Sequence, residues 1–187
     1  MSDARTNILA RLRAAAAQEP TAIPEIVSLP GEELSRADQV AQLKRLMENM
    51  HAEVIVTDRR SWIDTLKDAL RPRGLNGLRY GSAGPLGAAL EASWDSGLPP
   101  LVGYTQEVEQ CKERLFTIDA GITSTRGAIA DVGALILWPD ANEPRLMSLA
   151  PAIHIAVLEA DKIYNSLAEA IARERWAEGM PTNALLI

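Results

Sequence analysis

The sequence predicts an α/β layered fold: a mainly parallel sheet with helices on its faces. Three observations carry this prediction. Short β-branched runs alternate with amphipathic segments along the chain, the element order of a parallel sheet joined by crossover helices. Two runs, residues 133–138 and 153–158, are apolar almost without interruption, as in strands buried on both faces. Apolar residues make up 47% of the 187 residues but aromatics only 4%, so the core is aliphatic, with close helix–sheet contacts over alanine.

Residues 1–19 are predicted to form a helical arm. Its stretch from Ala4 to Gln18 is rich in alanine and arginine and carries a narrow apolar stripe of Ile8, Leu9 and Leu12. Residues 20–31 form a linker in which Pro20, Pro24 and Pro30 keep the chain extended or irregular. The α/β domain occupies residues 32–187. A helix is expected over 32–51, where Val40, Leu43, Met47 and Met50 recur at helical spacing.

Ala52-Glu-Val-Ile-Val-Thr57 reads as a strand. Asp58 or Ser61 can cap the next helix, whose apolar face is Trp62, Leu66 and Leu70 and which Pro72 and Gly74 end. Leu78-Arg-Tyr80 is a weak strand, followed by the turn Gly81-Ser-Ala-Gly84-Pro-Leu-Gly87 and an alanine-rich helix to about Ser93. A short strand is expected over 99–102, a charged helix over 105–113 and a strand over 115–118. Strands over 133–138 and 153–158, an amphipathic helix over 164–176 and a last strand over 183–187 complete the order.

The formal net charge of −6 disfavours generic nucleic-acid binding, which needs a basic surface. No apolar run is long enough for a membrane span. No apolar secretory segment marks the N-terminus, so a cytoplasmic location is expected. A single cysteine, Cys111, excludes an internal disulfide and any cysteine-held iron–sulfur cluster within this chain. Acidic neighbours in Gln106-Glu-Val-Glu-Gln-Cys-Lys-Glu do not favour a thiolate, so Cys111 reads as a helix-face residue.

The segment from Asp119 to Leu158 concentrates the chemistry. Hydroxyls, acids, two arginines and a histidine lie there between buried runs, the way open sheets place polar groups at strand ends. Thr123, Ser124, Thr125 and Arg126 follow a strand. If residues 127–130 start a helical turn, its free amides and Arg126 make an anion site. Ordinary helix capping with Arg126 in solvent explains the same residues. Asp131, beside the apolar triplet 128–130, is the best candidate for a catalytic base or nucleophile, or else a cap or salt-bridge partner.

Arg145 and Ser148 lie on the loop between two buried strands, placed to close over an anion or to face solvent. His154 lies inside an apolar strand, where a hydrogen-bonded core role competes with a ligand contact. The only other histidine, His51, ends a distant helix, so no histidine-rich metal site is expected. The glycines at 81, 84 and 87 fall every third residue and no P-loop lysine follows, so this stretch reads as a strand-to-helix turn.

Two blocks carry a resemblance. Gly121-Ile122-Thr123 with Ala128-Ile129-Ala130-Asp131-Val132-Gly133-Ala134-Leu135 forms the first. Arg145-Leu146-Met147-Ser148-Leu149-Ala150-Pro151 with His154-Ile155 forms the second. In order and spacing they resemble the LUD-domain family, and within it the lactate utilization protein C (LutC/YkgG) group. The match is strong in the final third and rests on element order before that.

The resemblance implies a Rossmann-like fold of the NagB/RpiA/CoA-transferase type. It implies a subunit of an L-lactate utilisation system, oxidising lactate to pyruvate, that binds a small anionic ligand or a partner. No cofactor is expected in this chain, because the resemblance puts the iron–sulfur clusters on partner proteins. The ligand set it suggests is Thr123, Ser124, Thr125, Arg126, Gly133, Arg145, Ser148 and His154, with no metal.

Asp131 stands where the family usually has glutamate, and Val132 and Ala134 replace threonines, which removes two hydroxyls. The family usually continues past the last strand into a loop, a helix and a strand, so the domain is expected to lack its C-terminal end. The alternative reading is a stand-alone enzyme acting on a CoA thioester or a sugar phosphate, as fold relatives do. The N-terminal arm is expected to dock on a partner or on a second copy of the chain.

Overall fold

The computed structural model describes residues 3–16, 34–104, 118–179 and 184–187. It divides into two units, Met1–Pro30 and Gly31–Ile187. In the first, helix α1 spans Asp3–Ala16, and Ile8, Leu9 and Leu12 are exposed along it.

The second unit begins with helix α2, Arg36–Asn49. The Ser35 hydroxyl accepts the Asp38 amide, satisfying one of the free donors of the first turn. The helix ends on His51, which adopts a left-handed φ of 65° while its amide and that of Ala52 return to Glu48 and Met47. Helix α3, Trp62–Leu70, is introduced by Asp58, whose carboxylate accepts the amides of Arg60 and Ser61 and the Ser61 hydroxyl. Asp58, rather than Ser61, is therefore the capping acceptor. A 3-10 turn over Arg71–Arg73 and the left-handed Gly74 close the helix.

Four strands form an all-parallel sheet in the order β2-β1-β3-β6: β1 Leu78–Tyr80, β2 Leu101–Gly103, β3 Ala120–Ser124 and β6 Ile153–Val157. Helix α4, Pro85–Ser93, joins β1 to β2 and opens with proline at its first turn. One face of the sheet presents Leu78, Tyr80, Ala120, Ile122, Ile153, Ile155 and Val157. These pack under Leu66 and Leu70 of α3 and Leu86 and Leu90 of α4 in an aliphatic core.

The opposite face carries Arg79, Gly121, Thr123 and His154. The strand register sets Arg79 and His154 on either side of Gly121. A short helix α5, Leu146–Leu149, closes over this face with Met147 fully buried. Its approach requires glycine: a β-carbon at Gly121 would lie 2.4 Å from the Met147 carbonyl oxygen.

A second sheet runs β7-β4-β5-β8: β4 Gly127–Ile129, β5 Ala134–Leu137, β7 Ile163–Tyr164 and β8 Leu185–Leu186. Here β4 pairs antiparallel with β5 and β5 with β8, so the mainly parallel expectation holds for the first sheet and not for the second. Helix α2 covers it through Val40, Leu43 and Met47, against Ala128, Ala130, Leu135 and Ile163. Helix α6, Leu167–Arg173, is capped by the Ser166 hydroxyl, which accepts the Glu169 amide.

Three sequence expectations need correction. Residues 52–57 have strand composition but join no sheet ladder; the Lys44 ammonium takes the Val54 carbonyl. Residues 127–129 are a strand rather than the start of a helical turn. The helix expected over 164–176 starts only at Leu167, because Ile163 and Tyr164 pair with β4. Residues 115–117 of the strand expected over 115–118 lie outside the described residues, and the described strand that follows is β3. The charged helix over 105–113, with Cys111, lies outside the described residues. Among the described residues, no helix is long and apolar enough to cross a membrane.

Candidate functional site

Open α/β sheets bind ligands beyond the carboxyl ends of their strands. In this chain the carboxyl end of β3 is Thr123 and Ser124, and the chain leaves it through Thr125 and Arg126 into the second sheet. The Thr125 amide and hydroxyl both go to the Val157 carbonyl, extending the pairing of β3 with β6. Thr125 is thus a structural clip between the strands.

Beside this crossover lies a shallow cleft, open to solvent, whose enclosed part has room for about one water molecule. Thr123, Ser124, Trp138, Glu143, Arg145 and Ser148 are among the residues that line it. The loop between β5 and α5 supplies Glu143 and Arg145. Its path is fixed by Asp140, which accepts the amides of Asn142 (2.8 Å) and Glu143 (2.7 Å). The Asn142 side chain accepts the Ala83 amide at 2.8 Å and lies so close to Gly81 that a β-carbon there would stand 2.5 Å from it. The glycine turn after β1 thus anchors the loop over the sheet end, which is the role this structure gives Gly81.

Within the cleft one carboxylate is already held. The Ser124 amide donates to Glu143 Oε2 at 2.8 Å and its hydroxyl to the same oxygen at 2.7 Å. Arg145 is exposed at the cleft wall and has no ion-pair partner among the described residues. Its carbonyl accepts the Ser148 hydroxyl. Below, the Thr123 hydroxyl shares a 2.9 Å hydrogen bond with His154 Nε2. Burial lowers the His154 pKa, so the imidazole is neutral near neutral pH. This set can bind a small anion through a backbone amide, hydroxyls and a guanidinium.

The structure separates the remaining predicted residues. The Arg126 guanidinium pairs with Glu174 (Nε to Oε2, 2.5 Å) and lies 5.0 Å from the centre of the Trp138 ring. Glu174 is 6% exposed and also takes the Tyr164 hydroxyl and the Lys162 ammonium. Burial acts to raise the Glu174 pKa, but the Tyr164 and Lys162 hydrogen bonds and the Arg126 charge outweigh it and hold the group low. Arg126 therefore belongs to a matched structural cluster rather than to an anion site.

Asp131 and Gly133 lie in the turn that joins β4 to β5, at the far end of the hairpin from Arg126 and Trp138. The Asp131 amide goes to the Asn165 carbonyl, and its exposed carboxylate has no partner among the described residues. Gly133 is left-handed (φ 71°), and a β-carbon would lie 2.5 Å from Leu46 Cβ on α2. Its role is to admit the helix. The cleft that holds Arg145 and Ser148 therefore includes neither Thr125 nor Asp131 among its lining residues. Among the described residues, no group of three His, Cys, Asp or Glu side chains converges to hold a metal.

Sequence reasoning missed Glu143, Trp138 and Arg79. An arginine inside the strand Leu78-Arg-Tyr80 is a visible signal, and Arg79 is only 1% exposed on the sheet face that carries His154. Glu143 gave no local signal, because its partner Ser124 is nineteen residues away.

Residues 40–187 match the family model described as the LUD domain. Over 190 aligned residues the chain is 30% identical to an uncharacterized protein of Neisseria meningitidis serogroup B, covering 98% of this chain and 81% of that one. It is also similar in fold to the crystal structure of a DUF162 family protein from Deinococcus radiodurans. The TM-score is 0.64 at 21% identity, over 82% of this chain and 88% of that one. The parallel sheet with its flanking helices is thus a Rossmann-like α/β fold, and with its domain model matched over most of its length, the chain belongs to the LUD-domain family.

Proposed function

We propose that this chain is a subunit of an L-lactate utilisation system of the lactate utilization protein C type, and that it binds a small carboxylate at the cleft beyond β3. The observation that carries the reading is the pairing of donors there. Ser124 offers an amide and a hydroxyl to a carboxylate oxygen, and Arg145 stands in the same cleft without an ion-pair partner among the described residues. An exposed guanidinium next to hydroxyl and amide donors favours an anion. Thr123 lines the cleft wall, with His154 orienting its hydroxyl, and Ser148 completes the opposite side.

L-lactate and pyruvate both carry such a carboxylate, and membership of the LUD-domain family supports them as ligands. Electron transfer from lactate requires a redox group, and in this reading iron–sulfur partner proteins supply it. Two measurements test the proposal. Added L-lactate or pyruvate raises the melting temperature of the purified chain, with a shift that grows with the logarithm of concentration above Kd, as for any ligand that prefers the native state. The chain also co-purifies with iron–sulfur proteins from cells grown on lactate. Undiminished growth on lactate after deletion of the gene contradicts the reading.

A further inference from the structure

The cleft holds a carboxylate of its own, and this deepens the reading above, on which it rests. We infer that Glu143 is a built-in occupant of the carboxylate subsite, and that a small monocarboxylate binds by displacing it from Ser124. Both donors of Ser124 converge on a single oxygen, Glu143 Oε2, at 2.8 and 2.7 Å. That is the geometry a ligand carboxylate would need from the same two donors. Glu143 is therefore a competitor in the same place rather than a neighbour of the site.

The loop that presents Glu143 is pinned through its backbone and not through this carboxylate. Asp140 accepts the amides of Asn142 and Glu143, and the Asn142 side chain accepts the Ala83 amide. Releasing Glu143 from Ser124 thus needs only side-chain rotation, with the loop held where it is. Arg145, two residues on, lines the cleft without pairing to Glu143 and is placed to meet the incoming carboxylate.

Displacement replaces one carboxylate with another at Ser124, so the free chain binds weakly. The apparent affinity is reduced by the fraction of molecules in which Glu143 occupies the subsite. This device makes the site selective: a neutral analogue of the ligand, such as an amide, gains nothing from Arg145 and cannot repay the loss of the Glu143 contact.

Calorimetric titration of pyruvate and of L-lactate into the full chain at pH 7 tests the inference on wild type, Glu143→Ala, Glu143→Gln and Arg145→Ala. Glu143→Ala is expected to bind about tenfold tighter, equivalent to about 1.4 kcal/mol. Glu143→Gln, which keeps the size and an acceptor oxygen but loses the charge, is expected to bind several-fold tighter. Arg145→Ala is expected to lose binding.

If both Glu143 variants bind as wild type or more weakly while Arg145→Ala loses binding, the self-occupancy inference is overturned and the carboxylate cleft stands. If Arg145→Ala binds as wild type, or no variant binds either acid, the cleft reading fails and the inference fails with it. Should Glu143→Ala fold poorly, Glu143→Gln decides the outcome.

Discussion

Trp138 borders the cleft of one carboxylate, Glu143, and the arginine partner of another, Glu174, and the protein treats the two differently. Glu174 is 6% exposed and answered in full by Arg126, Lys162 and the Tyr164 hydroxyl. Glu143 lies in an open cleft, its carboxylate held by Ser124, while Arg145 nearby has no ion-pair partner among the described residues. One aromatic ring serves both sites. Trp138 lines the cleft, lies under the Arg126 guanidinium and meets the Trp176 ring edge-on at 5.5 Å. A buried charge must be matched to be tolerated, so a complete set of partners marks structure. An exposed set of donors with an unanswered cation marks a place for a ligand.

Breaking the matched site should cost the most. Glu174→Gln leaves Arg126 and Lys162 without their anion, and the expected loss is about 2–3 kcal/mol in urea unfolding. The thermal response to pyruvate should survive in this variant, because the cleft is lined by other side chains. A loss of pyruvate binding with stability intact would invert the assignment of the two sites.

The turn that carries Asp131 offers a sharper version of the same contrast. Gly133→Ala places a methyl group against Leu46 and forces a left-handed backbone on alanine. Destabilisation of about 1–3 kcal/mol is expected, again without effect on ligand affinity. Coupling of this substitution to pyruvate affinity in calorimetry would tie the far end of the hairpin to the site.

The smallest effect concerns pH. Burial lowers the His154 pKa, whereas the unfolded chain titrates near the ordinary 6.5. The unfolded state then binds more protons, so this contribution to stability is complete above pH 6.5 and declines as the pH falls below it. Glu174, also held low, adds a second decline below its ordinary 4.5. His154→Gln should remove the first decline and keep the second. A wild-type stability that is flat from pH 7 to 5 would show that burial does not hold this histidine neutral.

Much of the architecture was legible from local patterns. Helix α4 follows from its proline and alanine run, and β5 and β6 from continuous apolar stretches. Residues 52–57 misled because β-branching measures fit to a pleated surface, and here no strand lies alongside. Residues 127–130 misled because small residues suit a helix start equally well. Here Gly127 is small because Lys162 and Tyr164 of the neighbouring segment come within 3 Å of where its β-carbon would be.

For the site, Thr123, Ser124, Arg145 and Ser148 were read from the sequence and do meet at one cleft. Asp131 and Arg126 were grouped with them because they are near in sequence. A hairpin carries the first to its far end, and a long-range ion pair turns the second outward. Neither event leaves a local trace in the chain.

The most direct test of the central claim, that the cleft beyond β3 is where a carboxylate binds, is an amide-resolved NMR titration of the chain with pyruvate. The account predicts that the Ser124 amide shifts most, together with those of Glu143 and Arg145, while Asp131 and Gly133 stay still. Movement confined to Asp131 and Gly133, with Ser124 unchanged, would contradict it.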